Sequence, residues 1–387
     1  MIWIDDEVAP RVPKLPAARL RAMIAANPGT MVLKVLLGDV LMRDRDFAAA
    51  ADSFAAAAAQ DQAGFDGWAK LVQACRSSNR LDEALAAATR GAQVRPSTAL
   101  TIERGRVLRL MGDYAAAEAV FRAAVAARDG AEVAGHGGLL RLLALEPDGA
   151  RLLAACDAAQ ARIGDTALVR AHRALAFSRM GDATVAGRLI DVDRHVVRTP
   201  VAVPDGYADV AAFNAALAGE ILRVGASGGP VSLYYRPRLD RQPVLAELLA
   251  TIRVAMEDYL EQLPALGLAG VIPPPPAAAS LFYGNTVLRD RGVNGAHIHG
   301  EGYVSAVYHV SVPDSVAGAS DHRGALALGV LGELAPDHTP CWGVRHVRPV
   351  PGWLTLFPSH MFHDVVPSHD PAPRVSVAAD MLPRLSQ

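Results

Sequence analysis

"NGAHIHGEGYVSAVYHV", residues 294–310, places His297, Ile298 and His299 at the head of an alternating, strand-like run. Side chains two apart on a strand leave the same face. The stretch therefore predicts a strand that offers two imidazoles to one point. Two readings follow: a pair of metal ligands, or two polar residues on the outside of a β-protein.

The rest of the C-terminal half favours the first reading. Nine of the twelve histidines lie at or after residue 297, a skew that packing does not require. One of them, His363, stands in "PGWLTLFPSHMFHDVVP" (351–367), after a run predicted to pair in the same sheet as the first two. Eleven residues later come Arg374 and Ser376 in "RVSVAAD", two apart and so on one face. An oxygen-activating iron(II) centre needs a few neutral imidazole or carboxylate ligands on one side and open positions on the other. A permanently charged, planar guanidinium suits the far carboxylate of a 2-oxo diacid. His299-Gly300-Glu301 is also a His-x-Glu, so His299, Glu301 and His363 form a second ligand set beside His297, His299 and His363. Tyr283, Asn285 and Tyr308 face a plausible pocket by strand alternation, although such residues are more often core or rim; Asn285 and Tyr308 are carried as co-substrate candidates. His322, His338, His346 and His369 fall in turn-like contexts and read as surface, His360 as a loop residue, and Trp342 and Trp353 as packing.

Around these segments the texture is that of an α+β domain. "DVAAFNAALAGEILRV" (209–224) and "PVLAELLATIRVAMEDYLEQL" (243–263) have the three-and-four spacing of amphipathic helices. Short strand candidates follow at 281–288, 303–312, 325–331, 353–357 and 374–378, separated by Gly and Pro. "RTPVAVPDGYAD" (198–209) reads as a linker or lead-in strand. This predicts a sandwich or barrel from about residue 197 to 387.

From about 28 to 196 the chain is rich in Ala, Leu and Arg and repeats itself. "RDFAAAADSFAAAA" (45–58), "NRLDEALAAATRGA" (79–92) and "GDYAAAEAVFRAAV" (112–125) share a template that starts at Phe47, Leu81 and Tyr114. A weaker copy starts at Ala183, and a degenerate one lies near Asp148–Gly149. The pattern resembles the tetratricopeptide repeat, which implies paired helices stacked into a solenoid. Such arrays hold a peptide or protein on the concave face, or pair two copies of a chain into a homodimer. Residues 1–27 are an N-terminal segment.

The three C-terminal segments together resemble the 2-oxoglutarate/iron(II)-dependent oxygenases of bacteria and phages, with their H-x-H, Ser-Gly-Val-Tyr-Tyr-like, Phe-Pro-Ser…His and Arg-x-Ser pattern. The resemblance spans about 197–387 and implies a double-stranded β-helix (jelly-roll) fold. It further implies a dioxygenase using Fe(II), 2-oxoglutarate and O2, with His297, His299 and His363 on the metal and Arg374 and Ser376 on the co-substrate. No carboxylate stands at the position of Glu301 in the family pattern, which favours three histidines over the set containing Glu301. Ala306 and His309 replace the family's Gly and second Tyr. A cupin would need a glutamate at 303 or 304, where this chain has Tyr303 and Val304. With the repeats, the expected activity is hydroxylation of a peptide or protein substrate. A scaffold whose barrel has lost turnover and an oxygenase of a free small molecule are the rival functions.

Composition bounds the partners. The 387 residues are 51% hydrophobic and 20% charged with a net charge of −2, which gives no global reason to expect nucleic acid or an anionic membrane. Three scattered cysteines fit a reducing compartment, and the acidic N-terminus lacks the basic region of a signal peptide. The uncharged run 263–288 contains Pro264 and Pro273–Pro276, so it is no spanning helix. The expectation is a cytoplasmic protein.

Overall fold

A computed structural model of the chain describes residues 1–4, 15–127, 132–223 and 232–384. Part of the N-terminal segment, 5–14, lies outside the described residues, as does Val224 at the end of one expected helix. The chain divides into two compact units, Ala9–Leu143, and Met1–Val8 together with Ala144–Gln387.

The first unit is a stack of antiparallel helices: α1 (Ala17–Ala26), α2 (Met31–Arg43), α3 (Phe47–Gln60), α4 (Trp68–Ser77), α5 (Leu81–Val94), α6 (Thr98–Leu110), α7 (Tyr114–Ala126) and α8 (Glu132–Leu143). The three repeat starts read from the sequence are the first residues of α3, α5 and α7. Each is preceded, two residues earlier, by a left-handed residue: Arg45, Asn79 and Gly112, with φ of 61°, 60° and 81°. Asp46 and Asp113 then cap the helices, accepting from the amides of Ala49 and Ala116 at 3.2 and 3.1 Å. Such a cap is worth about 1 kcal/mol. Glycine sets the helix spacing. A Cβ on Gly38 or Gly105 would meet the rings of Phe54 or Phe121 at 2.5 and 2.6 Å. The small residue on one helix thus admits the aromatic of the next.

The second unit begins with three more helices, α9 (Gly149–Ile163), α10 (Ala167–Arg179) and α11 (Ala183–Leu189). α9 and α11 start where the weaker repeat copies were read, and Asp148 and Asp182 cap them at 2.9 and 3.0 Å. Yet these helices pack with the β-structure that follows. The amide of Leu168 donates to the carbonyl of Gly300 at 3.1 Å, and the His172 ring lies 6.3 Å from that of Phe362. Repeat-like texture therefore ends near residue 196, whereas the compact unit begins at Ala144.

Two sheets form the rest. The strands are β1 (Ile2–Trp3), β2 (Val197–Pro200), β3 (Ser232–Tyr235), β4 (Ala278–Leu288), β5 (Val304–Ser311), β6 (Leu326–Leu328), β7 (Arg345–Val347), β8 (Trp353–Pro358), β9 (His363–Val365) and β10 (Arg374–Arg384). The seven-stranded sheet runs β1-β4-β10-β5-β8-β2, with β3 also on β4; the smaller runs β7-β6-β9. The result is a curled β-domain consistent with a jelly roll, and with the helical repeats it makes the chain an α+β protein. Helices α12 (Val210–Leu222) and α13 (Pro243–Glu261) cover one face of the large sheet. Phe213, Leu217, Leu248, Ile252 and Met256 pack there against Leu281, Ala306, Tyr308, Leu356, Val377 and Met381, all at most 5% exposed. Each large apolar side chain so buried contributes about 1.5–3 kcal/mol. Among the described residues no helix is long and apolar enough to cross a membrane.

Candidate metal centre

His297 and His299 occupy an extended segment before β5, followed by a turn at Gly300–Glu301; they are outside the strand that the alternation predicted. The segment is held by backbone pairing to the second histidine-bearing stretch. The amides of His297 and His363 donate to each other's carbonyls at 2.9 and 3.0 Å, and His299 donates to the carbonyl of Ser359 at 3.0 Å. His363 opens β9 in the three-stranded sheet, not in the sheet of β5, because β9 pairs with β6 and only bridges back to His297. The site thus lies where the two sheets meet.

The three imidazoles converge. One nitrogen from each lies within 4.8 Å of the others, and the ring centroids are 4.2–5.1 Å apart. The opposite ring nitrogens are all engaged. Nδ1 of His297 donates to the carbonyl of Gly295 at 2.7 Å, and Nδ1 of His363 to that of Met361 at 3.0 Å. Nδ1 of His299 donates to the carboxylate of Asp380. These partners fix the tautomer, so each Nε2 carries a lone pair. Burial pushes the pKa of His297 down and that of His363 well down, favouring the neutral form that binds a metal. Nε2 of His297 lies only 3.2 Å from Nε2 of His299, and two acceptors at that distance repel unless a cation stands between them. The donor set therefore fits iron(II), for which neutral imidazole is a suitable ligand.

Asp380 escaped the sequence reading. It is 5% exposed and also accepts from Oγ of Ser305 at 2.6 Å, while Ser305 meets Ser359 at 2.9 Å. A carboxylate behind a ligating histidine orients the ring and raises its basicity. The signal was present: Asp380 ends "RVSVAAD" with the same parity as Arg374 and Ser376. Glu301, the alternative ligand, is exposed in the turn and is not grouped with the histidines. The shared parity assumed for it required an extended chain through residue 301, and the chain turns there.

Arg374 and Ser376 lie on the same face of β10 as Asp380, and both are buried. Burial pulls the Arg374 guanidinium down to about 10. Its Nη2 donates to Nδ1 of His309 at 3.5 Å. Tyr308 and Asn285 are on the other face, contrary to expectation. The Tyr308 hydroxyl donates to Asn214 on α12 at 2.6 Å, and Asn285 donates to Gln242, which precedes α13, at 3.1 Å. They join the sheet to its helices, as polar groups buried beneath helices must find partners there. His360 lies in the turn after β8, as read from the sequence, but is buried there; its Nε2 donates to the carbonyl of Leu189 at 2.7 Å, and it is 1% exposed.

Residues 285–380, which hold every candidate metal-ligand and co-substrate side chain named above, match the family described as "Putative 2OG-Fe(II) oxygenase". The match supports an oxygenase that uses iron, 2-oxoglutarate and O2. No curated protein matches the chain. Solved structures similar to parts of it include a Pseudomonas putida prolyl-4-hydroxylase, at 19% identity over 52% of this chain and 99% of that one, with a TM-score of 0.32. A tetratricopeptide repeat protein from Parabacteroides merdae is similar at 15% identity over 45% and 69% of the two chains, with a TM-score of 0.39. A thermophilic TPR protein of Thermus thermophilus is similar at 20% identity over 42% and 88%, with a TM-score of 0.34.

Proposed function

We propose that the chain is a 2-oxoglutarate- and iron(II)-dependent dioxygenase that hydroxylates a residue in a peptide or protein recruited by its helical repeats. One observation carries this: three imidazoles converge from two chain segments, in the domain that also buries an arginine on the strand of Asp380. His297, His299 and His363 would hold the metal through Nε2. Arg374, with Ser376 beside it, would take the far carboxylate of 2-oxoglutarate. Bound there, iron(II), 2-oxoglutarate and O2 supply an oxidative decarboxylation to succinate and CO2 that is coupled to oxidation of a C–H bond. The protein holds and orients. Asp380 keeps the His299 proton on Nδ1, and the Gly295 and Met361 carbonyls do the same for His297 and His363. Phe357, edge-on to His363 at 4.9 Å, presents apolar surface beside that ligand.

Anaerobic titration of the apo-protein with iron(II), then 2-oxoglutarate, tests the reading. The expected result is a weak visible charge-transfer band. His363→Ala should abolish it, and Arg374→Ala should need far more co-substrate to develop it. Iron binding with no band on adding 2-oxoglutarate would overturn the co-substrate assignment. Given that band, succinate release that a candidate peptide stimulates, and that the β-domain's ligand variants lose, would support peptide hydroxylation.

A further inference from the structure

We infer that His309 and Thr355 complete, with Arg374, a buried donor cradle for the far carboxylate of the co-substrate. The inference rests on the 2-oxoglutarate reading above and concerns which side chains of this chain make that pocket.

Three side chains on one face of the large sheet hold polar atoms that find no partner among the described residues. They are Nε and Nη1 of Arg374, Nε2 of His309 and Oγ1 of Thr355. All three residues are nearly sealed from solvent, at 1%, 0% and 0% exposure. The register sets them side by side. Ser376, two residues along β10 from Arg374, is opposite His309; Thr355 is opposite Val307, two residues along β5 from His309. His309 and Thr355 are therefore diagonal neighbours on one face. The helices cover the other face, so they supply no partner here.

The tautomer of His309 follows from its contact with Arg374. A guanidinium only donates, so Nδ1 of His309 accepts from Nη2, and the imidazole proton sits on Nε2. Burial, and then the charges of Arg374 and Arg198, keep the ring neutral. The cradle thus presents guanidinium N–H groups, one imidazole N–H and one hydroxyl, with the fixed charge of Arg374 in it and that of Arg198, opposite Thr355, close enough to act on His309. Its fitting occupant is an acceptor-only anion, which a carboxylate is.

The test is equilibrium binding to the full chain loaded with manganese(II), which avoids turnover. Two ligands are compared, 2-oxoglutarate and 2-oxobutyrate, which share the chelating end and differ at the far end. His309→Phe removes the donor and keeps a ring, and should weaken 2-oxoglutarate binding about ten- to a hundredfold. Thr355→Val, nearly isosteric, should weaken it about tenfold, and His309→Gln, which retains an N–H, should stay within about threefold of the parent. Manganese retention and 2-oxobutyrate binding should be unchanged in all three, which separates loss of the cradle from misfolding. If His309→Phe fails to fold, the contrast between His309→Gln and Thr355→Val decides. The cradle is overturned if His309→Phe and Thr355→Val bind 2-oxoglutarate like the parent while Arg374→Ala does not; the co-substrate reading then stands without it. A parent that holds manganese but neither 2-oxo acid overturns both.

Discussion

Along β10, Val375, Val377, Ala379 and Met381 belong to the apolar core beneath α12 and α13, while Arg374, Ser376 and Asp380 alternate with them on the opposite face. The same division continues on β5, where Ala306 and Tyr308 lie under the helices and Ser305 and His309 do not. Both faces bury side chains, and they are chemically opposed. The helix face is mostly apolar; there the Tyr308 hydroxyl and the Asn285 amide N–H have partners, while Oδ1 of Asn285 and Nδ2 of Asn214 find none among the described residues. The other face buries cationic and neutral polar atoms without partners. A buried polar atom left unpaired costs about 1–3 kcal/mol, and a folded chain keeps such groups where something else is to be bound. Stability is thus concentrated on one side of the sheet and chemistry on the other, one residue apart.

Neighbouring substitutions on β10 should separate the two. Met381→Ala empties space in the core at a residue with 0% exposure and should cost about 2–5 kcal/mol of unfolding free energy, while the folded fraction binds iron(II) like the parent. Denaturant unfolding and chelator competition would measure the pair of quantities. Asp380→Asn, next door, should do the reverse: about ten- to a hundredfold weaker metal affinity with a smaller change in stability, since it removes the charged acceptor that orients His299. A loss of stability at Asp380 as large as that at Met381, with metal affinity intact, would break the comparison.

Acid should weaken the polar face through His309. The folded-state pKa of His309 lies well below its ordinary value because burial and two flanking arginines oppose the charged form. In the unfolded chain the residue titrates near ~6.5. A depressed pKa gives stability that is fully present above the unfolded value and is lost as pH falls below it. Each such proton contributes a slope of about 1.4 kcal/mol per pH unit. His309→Gln should therefore flatten the pH dependence of unfolding of the metal-free protein, below about pH 6.5, by one proton. A variant whose slope equals the parent's would place the titration elsewhere.

Much of this was legible in the sequence, and the misreadings have one cause. The repeat starts at Phe47, Leu81, Tyr114 and Ala183 were readable because helix period, small residues and the left-handed turn all recur together. The His297, His299 and His363 set was readable because histidines are costly to bury in number without a purpose. Alternation along β10 also identified Arg374 and Ser376 as one face. What alternation cannot supply is which face meets helices, so Tyr308 and Asn285 were placed with the wrong neighbours. Nor does it reveal where a strand stops. The turn at Gly300–Glu301 removes Glu301 from the ligand group, and β9 joins a second sheet through β6, a pairing set by register across 35 residues, Leu328 to His363. Asp380 was overlooked because its role is toward a histidine 81 positions away, a contact made only by folding.

The smallest expected effect is the sharpest test of the face assignment. Tyr308 looks like a co-substrate residue in the sequence, and in the structure its hydroxyl donates to Oδ1 of Asn214 beneath α12. Burial and this single contact govern it, and burial pushes its hydroxyl up to about 12, so it acts as a donor throughout the working pH range. Tyr308→Phe keeps the ring in the core and removes only the O–H. The Asn214 oxygen is then left without its donor, and the loss should be about 1 kcal/mol of stability. Binding of 2-oxoglutarate to the manganese-loaded protein should not change, because the hydroxyl faces the helices. If Tyr308→Phe instead weakened co-substrate binding and left stability intact, the strand would be facing the other way, and the polar face built from His309, Thr355 and Arg374 would lose its register argument along with it.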